Sequence, residues 1–438
     1  MIELRPYQTP HAEKLLSILK KNRAALDGSD TGTGKTFVAA YIAAALKKIP
    51  VVICPKAVIT EWGEVLDLAG IVGYTISNYE QFKNYNLPVV TKTKLKRKQF
   101  QFNTTKNHLV IFDEVHNAKN FKTANSKLLI AAGCTESKIL MLSATVADNP
   151  IQLEAVGAIL GLFRSRAGFW DYCFARGVQR EPFGPGVFFN ATSENLEAVH
   201  RDLYDRKGAR MRKAEIPGFP ENQVIPRLID LGTASETISD LYEQIQGVTD
   251  RIEQSEKNDE SNALTERLRA RQKIEAYRLP VMAEDIISEL GEGRSVVVFV
   301  NFRDSGDFLF EKISKAKIEG LIITRIHGGQ SVAERKKNKD LFQSNESRCI
   351  LVQIMAGGVG ISLHDIHGGH PRVSFLCPND SPVLTIQAMG RIPRDGAKSP
   401  STQYLYYIKG TIEEKVYKNV NSKIRRMEKI NDGDYVIK

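Results

Sequence analysis

A glycine-rich stretch near the amino terminus has the residue types of a phosphate-binding loop. Residues 29–36 read SDTGTGKT, which matches the pattern G-x-x-x-x-G-K-[ST] except that Ser29 stands in the place of the first glycine. Lys35 can reach the β- and γ-phosphates of ATP, and the Thr36 hydroxyl can bind Mg²⁺. The residues whose backbone N–H groups can approach phosphate oxygens are Gly32, Thr33 and Gly34.

Two adjacent carboxylates supply the second part of a nucleotide site. Asp113 and Glu114 follow the apolar run HLVIF, which predicts a buried strand with both carboxylates at its end. In phosphoryl transfer one carboxylate holds Mg²⁺ and another can orient the attacking water, so we assign the metal to Asp113 and the water to Glu114. An isolated Asp-Glu pair could instead cap the next helix. Beside a phosphate loop, the pair indicates a site for ATP and Mg²⁺.

The elements that must position these residues alternate between short apolar strands and helices. In the first half the predicted strands are VVICP, HLVIFDE and KILMLSAT. In the second half they are SVVVFV, LIITRIH, CILVQIMAGG and VSFLCP. This alternation predicts an α/β fold with parallel sheets and helices on both faces. Because functional loops of such sheets follow the carboxyl ends of strands, we expect the phosphate loop and the acidic pair on one edge.

The length of the chain and its charge pattern indicate more than one domain. A chain of 438 residues exceeds what one core usually organises. A highly charged helical stretch separates the two α/β patterns. We therefore expect a first domain over residues 1–230, a helical linker over 231–280, and a second domain over 281–438 that ends in an amphipathic helix.

Composition excludes several classes of protein. No apolar run approaches the roughly 20 residues that cross a bilayer, and the stretch MIELRPYQTP lacks an apolar signal segment. We therefore expect a soluble intracellular protein without a membrane partner. The five cysteines are scattered and form no C-x-x-C pair, which favours reduced core thiols over a zinc site or disulfides.

The positive charge is concentrated in one stretch. The formal net charge is +10, and residues 81–112 contain seven basic residues and no acidic one. The densest part of this stretch contains Lys94, Lys96, Arg97 and Lys98. Such a surplus suggests a polyanionic partner such as nucleic acid. A solvated loop or an address signal explains the same residues equally well.

The order of the motifs along the chain resembles superfamily 2 helicases and translocases, and most closely their Snf2-like branch. LRPYQ resembles the adenine-recognition motif, DTGTGKT motif I, VICPKAVITEW motif Ia, NYEQF motif Ib, DEVH motif II and LSAT motif III. In the second half, VVFVNFRDS resembles motif IV, IMAGGVGISL motif V and QAMGRIPRDG motif VI. Residues 195–224 are similar to the stretch after motif III in Snf2-like relatives of annealing helicases. The match runs in the correct order along nearly the whole chain.

The resemblance implies two RecA-like lobes with the ATP cleft between them, and roles for further residues. The catalytic arginines of motif VI are Arg391 and Arg394, in a segment that we expect to start a helix. The implied ATP-binding residues beyond the phosphate loop are Gln8, Gly360 and Gln387. The residues implied to couple hydrolysis to movement are His116, Ser143, Ala144 and Thr145. Those implied to grip nucleic acid, besides the basic stretch, are Lys56, Trp62, Gly328, Gly329, Ala356 and Gly357.

These features together predict an ATP-dependent DNA translocase or helicase that moves on or remodels duplex or branched DNA without reading its sequence. RNA ranks behind DNA as the partner. Two alternatives remain: a strand-separating DNA or RNA helicase of the same superfamily, and a nucleotide-gated clamp that binds without turnover. The insertions between the lobes are short compared with those of chromatin remodellers, which favours a compact viral, phage or prokaryotic protein. We expect a monomer in the cytoplasm, with a nuclear location as the alternative.

Overall fold

A computed structural model describes most of the chain. The described residues are 2–84, 89–92, 100–119, 123–144, 146–181, 186–254, 260–357, 361–379, 382–411 and 413. They fall into two compact units, the first ending at Gly218 and the second beginning at Phe219. The amphipathic helix expected at the carboxyl terminus lies outside the described residues.

The first unit is an α/β structure built on a parallel sheet. Its strands are β1 Ala24–Asp27, β2 Ile49–Cys54, β3 Thr75–Asn78, β4 Val90–Lys92, β5 Phe100–Phe102, β6 His108–Asp113, β7 Lys138–Leu142, β8 Val178–Arg180, β9 Val187–Phe189 and β10 Gly208–Ala209. Its helices are α1 Gln8–Lys21, α2 Lys35–Ala45, α3 Ile59–Leu68, α4 Tyr79–Asn84, α5 Ala124–Gly133, α6 Glu154–Leu160, α7 Arg166–Ala175 and α8 Ser193–Tyr204. The main sheet has the strand order β10-β1-β7-β6-β2-β3, and all of its pairs are parallel.

Strand residues alternate between two apolar cores, one on each face of this sheet. Phe112 of β6 packs in the core that includes residues of α5, α6 and α8. The adjacent Ile111 packs in the core that includes residues of α1, α2 and α3. A parallel sheet covered on both faces needs apolar side chains on both, which explains the continuous apolar runs in the sequence.

The register of the first sheet brings the ends of three strands together. Asp27 of β1 and Asp113 of β6 both pair with Leu142 of β7, which lies between those two strands. The loops after these strands therefore start on one edge of the sheet, as the sequence predicts.

The second unit repeats the α/β plan. Its elements are β11 Asn222–Ile229, α9 Ala234–Gln254, α10 Glu260–Gly291, β12 Ser295–Val300, α11 Arg303–Lys315, β13 Ile323–Ile326, α12 Val332–Gln343, β14 Cys349–Gln353, α13 Ile354–Gly357, β15 Arg372–Leu376, α14 Pro382–Met389 and β16 Ser401–Ile408. The sheet order is β11-β16-β15-β12-β14-β13, again with parallel pairs. The first strand of this unit, β11, lies within the residues that the sequence analysis gave to the first domain. The charged stretch expected as a linker lies in α9 and α10.

None of the helices in the described part of the chain combines the length and the apolar composition that a membrane crossing requires.

Candidate ATP-binding and nucleic-acid-binding site

The glycine-rich loop connects β1 to α2 and needs its glycines for backbone conformation. Gly32 and Gly34 have φ angles of 83° and 84°, in the left-handed region that residues with a Cβ atom avoid. A Cβ atom on Gly34 would also lie 2.3 Å from Nε2 of Gln8. Helix α2 starts at Lys35, so its N-terminal N–H groups lie next to the loop. This is the geometry of a phosphate cradle.

Gln8 fixes the loop from the start of α1. Its side-chain Nε2 donates a hydrogen bond to the carbonyl oxygen of Thr33 over 2.9 Å, and the backbone N–H of Arg5 donates to its Oε1 over 3.0 Å. Gln8 and Thr33 are both buried. The structure therefore brings the predicted glutamine onto the predicted phosphate loop.

Ser29 does more than replace a glycine. Its hydroxyl donates to Oδ1 of Asp27 over 2.5 Å and accepts from the backbone N–H of Met211 over 3.0 Å. Nε2 of His11 lies 3.2 Å from the same hydroxyl oxygen and 3.1 Å from Asp27 Oδ1. Ser29 and Asp27 are fully buried. The serine therefore joins α1, the end of β1 and the segment after β10.

The charge of Asp27 is stabilised within this cluster. Burial acts to raise the pKa of its carboxyl group, but the charge and hydrogen bond of His11, the charge of Lys35 and the hydrogen bond of Ser29 outweigh burial, so the pKa is lowered. His11, Asp27 and Met211 are not among the residues that the motifs predict. The one sequence feature that points to this cluster is Asp27, a carboxylate at the end of the short apolar run AALD.

The segment after β10 supports the phosphate loop from the other side. Arg210 donates from Nη2 to Asp30 Oδ1 over 2.8 Å, and the backbone N–H of Lys213 donates to Asp30 Oδ2 over 2.9 Å. The backbone N–H of Asp30 donates to the carbonyl oxygen of Met211 over 3.0 Å. Residues of the stretch that follows motif III in the sequence are thus part of the loop's support.

Hydrogen bonds from Trp62, Tyr79 and the backbone of Glu114 hold Asp113, the first residue of the acidic pair. Asp113 Oδ2 accepts from the indole Nε1 of Trp62 over 3.0 Å, and its Oδ1 accepts from the backbone N–H of Glu114 over 2.9 Å. The hydroxyl of Tyr79 donates to the backbone carbonyl of Asp113 over 2.9 Å. Burial, followed by the charge of Glu114, raises the pKa of Asp113 to about 6, against the opposing effects of Trp62 and Lys35. Glu114 has a φ of 52°, which is unusual for a residue with a side chain.

One of the predicted coupling residues, His116, contacts the acidic pair directly and links it to a second one, Ser143. Nδ1 of His116 lies 3.0 Å from the hydroxyl oxygen of Ser143 and 3.2 Å from Glu114 Oε2. His116 thus connects motif II with the loop after β7. Ala144 is buried beside Ser143 in sequence. Thr145 lies outside the described residues.

The residues of this edge fit ATP with Mg²⁺. A buried carboxyl group beside a second carboxylate is costly in its charged form, as the raised pKa of Asp113 shows, and a divalent cation offsets that cost. Mg²⁺ is usually held by one or two carboxylates together with substrate phosphates. Asp113, at the end of β6, and Thr36, in the first turn of α2, are the residues whose oxygen atoms would hold it.

In the second unit one arginine, Arg335, links the two stretches that are predicted to grip the nucleic-acid backbone, of which the second lies in α13. Arg335 donates from Nη2 to the carbonyl oxygen of Gly328 over 3.1 Å and from Nη1 to that of Ala356 over 3.2 Å. The backbone N–H of Gly328 donates to Gln353 Oε1 over 3.2 Å. These contacts bring the stretches 328–329 and 356–357 together. Arg335 is not among the predicted residues, although it ends the run RIHGGQSVAER that contains Gly328 and Gly329.

The arginines of motif VI do not start a helix, so that expectation is wrong. Helix α14 ends at Met389, and both arginines follow in the turn after it because the chain leaves the helix at Gly390. The Arg391 side chain is buried. Arg394 donates from Nη1 to the hydroxyl of Ser362 over 2.6 Å. Gln387 is buried within α14 itself.

The remaining predicted residues divide into three groups. Lys56 is exposed in a short turn before α3, as a phosphate contact requires. Trp62 is fully buried, so its ring presents no surface to nucleic acid, and its contact to Asp113 replaces the direct role predicted for it. The predicted residues that lie outside the described part are Gly360, Lys94, Lys96, Arg97 and Lys98, besides Thr145.

Comparisons with known proteins place these motifs in a family. The family model described as "Type III restriction enzyme, res subunit" matches residues 1–148, and "Helicase conserved C-terminal domain" matches residues 280–396. The chain is 31% identical over 466 residues to a protein of Acanthamoeba polyphaga mimivirus named as an ATP-dependent RNA helicase, covering 99% of this chain and 84% of that protein. It is 35% identical over 153 residues to the human DNA repair and recombination protein RAD54B, covering 34% of this chain and 16% of that protein.

Two solved structures are similar over most of the chain. The Sulfolobus solfataricus SWI2/SNF2 ATPase core in complex with double-stranded DNA covers 99% of this chain and 94% of its own, with 20% identity and a TM-score of 0.39. Dbp5 of S. cerevisiae, bound to RNA and ADP BeF₃, covers 97% of this chain and 88% of its own, with 12% identity and a TM-score of 0.49.

The fold, the motifs and the near full-length relative define the class of this protein, an ATP-hydrolysing enzyme with two RecA-like α/β lobes. The chain belongs to the superfamily 2 helicases, in their Snf2-like branch. The predictions of the family, of the α/β fold and of an ATP-hydrolysing enzyme are thereby confirmed.

Proposed function

We propose that the protein is an ATP-dependent translocase whose track is duplex or branched DNA. The observation that carries the proposal is the edge of the first sheet, where the phosphate loop, the acidic pair and the His116–Ser143 link follow adjacent strands. A hydrolytic site tied to a coupling link is what a motor requires, because nucleotide state must change the contacts of other elements.

The residues of the first unit have distinct tasks in hydrolysis. Lys35 binds the β- and γ-phosphates, and Thr36 with Asp113 would hold Mg²⁺, which offsets phosphate charge when bound. Glu114 orients the attacking water and accepts its proton. His116, 3.2 Å from Glu114 and 3.0 Å from Ser143, communicates the state of this carboxylate to the loop after β7.

The motif VI arginines complete the proposed catalytic set. Arg391 and Arg394 would act on the γ-phosphate, as their match to motif VI implies. An arginine in this role can contribute about 10³–10⁵ in rate. The set of five residues (Lys35, Asp113, Glu114, Arg391 and Arg394) exceeds what a clamp without turnover needs.

Backbone contacts on the track would make movement independent of sequence. The Arg335-linked stretches 328–329 and 356–357 and the exposed Lys56 offer amide groups and a positive charge for phosphates. Contacts to phosphate fix register but read no bases, as a translocase requires. The basic stretch that includes Lys94, Lys96, Arg97 and Lys98 is proposed to add to this grip.

DNA is proposed over RNA because the RAD54-type relatives are named for DNA repair and recombination. The mimivirus relative, named as an RNA helicase, favours the second candidate, a strand-separating RNA helicase. That viral relative also supports a compact viral or phage enzyme. A monomer remains our prediction.

The test is the rate of ATP hydrolysis with duplex DNA, forked DNA, single-stranded DNA and RNA of matched length at one salt concentration. We expect the largest stimulation with duplex or forked DNA. Stimulation by RNA alone would favour the second candidate, and a rate that no nucleic acid changes would contradict both.

A further inference from the structure

Two elements that carry nucleic-acid motifs each donate one hydrogen bond to Asp113. Trp62 lies in α3, which follows the turn that contains Lys56. Its Nε1 lies 3.0 Å from Asp113 Oδ2. Tyr79 is the first residue of α4, and its hydroxyl lies 2.9 Å from the Asp113 carbonyl oxygen. Both the side chain and the backbone of Asp113 are therefore fixed by elements that precede it in the sequence by more than thirty residues.

We propose that Trp62 is a positioning residue that transmits nucleic-acid binding at α3 to the carboxylate of Asp113. The proposal rests on the proposed function, because it requires a track that binds near Lys56. It assigns Trp62 an action through Asp113 and no contact with ATP or nucleic acid.

Because Trp62 is buried, its N–H group has little freedom to move relative to α3. The side chain is fully buried and packs in the core shared by α1, α2 and α3. An indole has a single donor and no acceptor, so it makes one directed contact to a carboxylate. Since Trp62 moves with α3, a displacement of the helix by about 1 Å takes the 3.0 Å contact beyond hydrogen-bond distance.

The Tyr79 contact supplies a second, independent connection. It fixes the peptide group between Asp113 and Glu114, and Glu114 adopts a left-handed conformation with a φ of 52°. Residues in this region persist only where their surroundings hold them. A shift of α4 would therefore change the direction in which the Glu114 carboxylate points as well.

The chain offers a matched control, because it contains only two tryptophans. The other one, Trp170, stacks on Phe174 in α7. The variant Trp170→Phe leaves Trp62 as the sole indole, so its fluorescence reports on this site alone. We expect the emission to shift when Mg²⁺ and ADP are added and again when duplex DNA is added. Unchanged emission on DNA binding, with binding followed by the anisotropy of a labelled duplex, would overturn the proposal.

The variant Trp62→Phe removes the donor. Relative to Trp170→Phe, we expect duplex stimulation of ATP hydrolysis to fall about tenfold, the scale of one lost hydrogen bond to a charged group. Duplex affinity should stay within about twofold of the control, because the indole is buried. The Mg²⁺ concentration for half-maximal binding of a fluorescent ADP should rise, which gives a readout apart from turnover.

A purely structural role predicts a different pattern. It would lower the melting temperature, and the basal and stimulated rates would fall together, with their ratio kept. That result would overturn the proposal, as would full stimulation in Trp62→Phe. If this variant fails to fold, Tyr79→Phe, which removes only a hydroxyl, should still lower the stimulation ratio. Absence of stimulation in the unaltered protein would instead refute the proposed function, and the positioning role with it.

Discussion

The ammonium group of Lys35 lies 2.8 Å from the carbonyl oxygen of Ser29 and donates a hydrogen bond to it. It also donates to the carbonyl oxygen of Asp30 over 3.0 Å. The lysine is therefore held on the loop that its own backbone helps to form. An ammonium group has three N–H donors, so one is left for a phosphate oxygen beside these two contacts. The contact to Asp30 links the lysine to the partners of Asp30, Arg210 and Lys213.

Replacing Lys35 with alanine removes the proposed counter-ion of the phosphates. We expect Lys35→Ala to lower the rate of ATP hydrolysis by at least about a hundredfold, the scale of one lost charge-stabilising donor. Nucleic-acid binding without nucleotide should be largely kept. Lys20→Ala, at an exposed lysine of α1, is the control. Hydrolysis at the original rate would contradict the phosphate-loop assignment.

Glu114→Gln should separate binding from hydrolysis. The amide keeps the size of the side chain but cannot accept a proton from water, while Lys35, Thr36 and Asp113 remain. We expect affinity for ATP to change little and single-turnover hydrolysis to slow by about 10²–10⁴, the usual contribution of a general base. Binding is measured by equilibrium dialysis with ATP and Mg²⁺. Loss of nucleotide affinity together with turnover would give Glu114 a different role.

Ser29→Gly restores the residue that the loop pattern prescribes, and we expect it to destabilise the protein. Without the hydroxyl, the backbone N–H of Met211 and the carboxylate of Asp27 each lose a buried partner, at a cost of about 1–3 kcal/mol. The free energy of unfolding in urea measures the effect. Ser29→Ala should show most of the same loss, because it also lacks the hydroxyl. A variant with glycine as stable as the original would mean that Ser29 is only a small residue in the loop.

These contacts show which parts of the site can be predicted from the sequence and which cannot. Local motifs predict roles for Lys35 and Asp113, because glycine spacing and a strand-end carboxylate are visible within a few residues. They do not show that Ser29 bonds to Met211, since that contact joins residues distant in the chain through the parallel sheet. The resemblance to motif Ia predicts that Trp62 contacts nucleic acid. The structure shows instead that its side chain is buried and donates a hydrogen bond to Asp113.

The second unit also contains features that the sequence predicts and features that it does not. Apolar runs predict four of the six strands in its sheet, β12 to β15, but not β11 or β16. The spacing of Arg391 and Arg394 predicts a helix start, but the same spacing is compatible with the turn that the structure has after α14. The sequence does not reveal the role of Arg335, because its two carbonyl partners, Gly328 and Ala356, lie in separate segments of the chain.

His364 should make the second unit sensitive to acid. Burial, and then the charges of Arg394 and Arg372, lower the pKa of its imidazole to about 4 from 6.5, while Asp395 and Asp365 act in the opposite direction. Between these values the unfolded chain binds the proton more readily than the folded one, so stability falls as pH falls from 6.5 towards 4. The full effect of this pKa difference is about 3 kcal/mol.

The variant His364→Gln cannot take up this proton. We expect its urea unfolding free energy to fall less steeply than that of the original protein between pH 7 and about 4.5. The two proteins are compared at each pH, so that the titration of common carboxylates cancels. Parallel pH curves would show that His364 does not titrate as its surroundings indicate.

Displacement of the third strand from a DNA triplex tests the central claim most directly, because it reports movement along a duplex without requiring the duplex to open. We predict that the unaltered protein releases the third strand only with ATP, and that Arg391→Ala and Arg394→Ala each abolish release while still binding the duplex. Efficient unwinding of a tailed duplex with no release from the triplex would contradict the translocase and favour a strand-separating helicase.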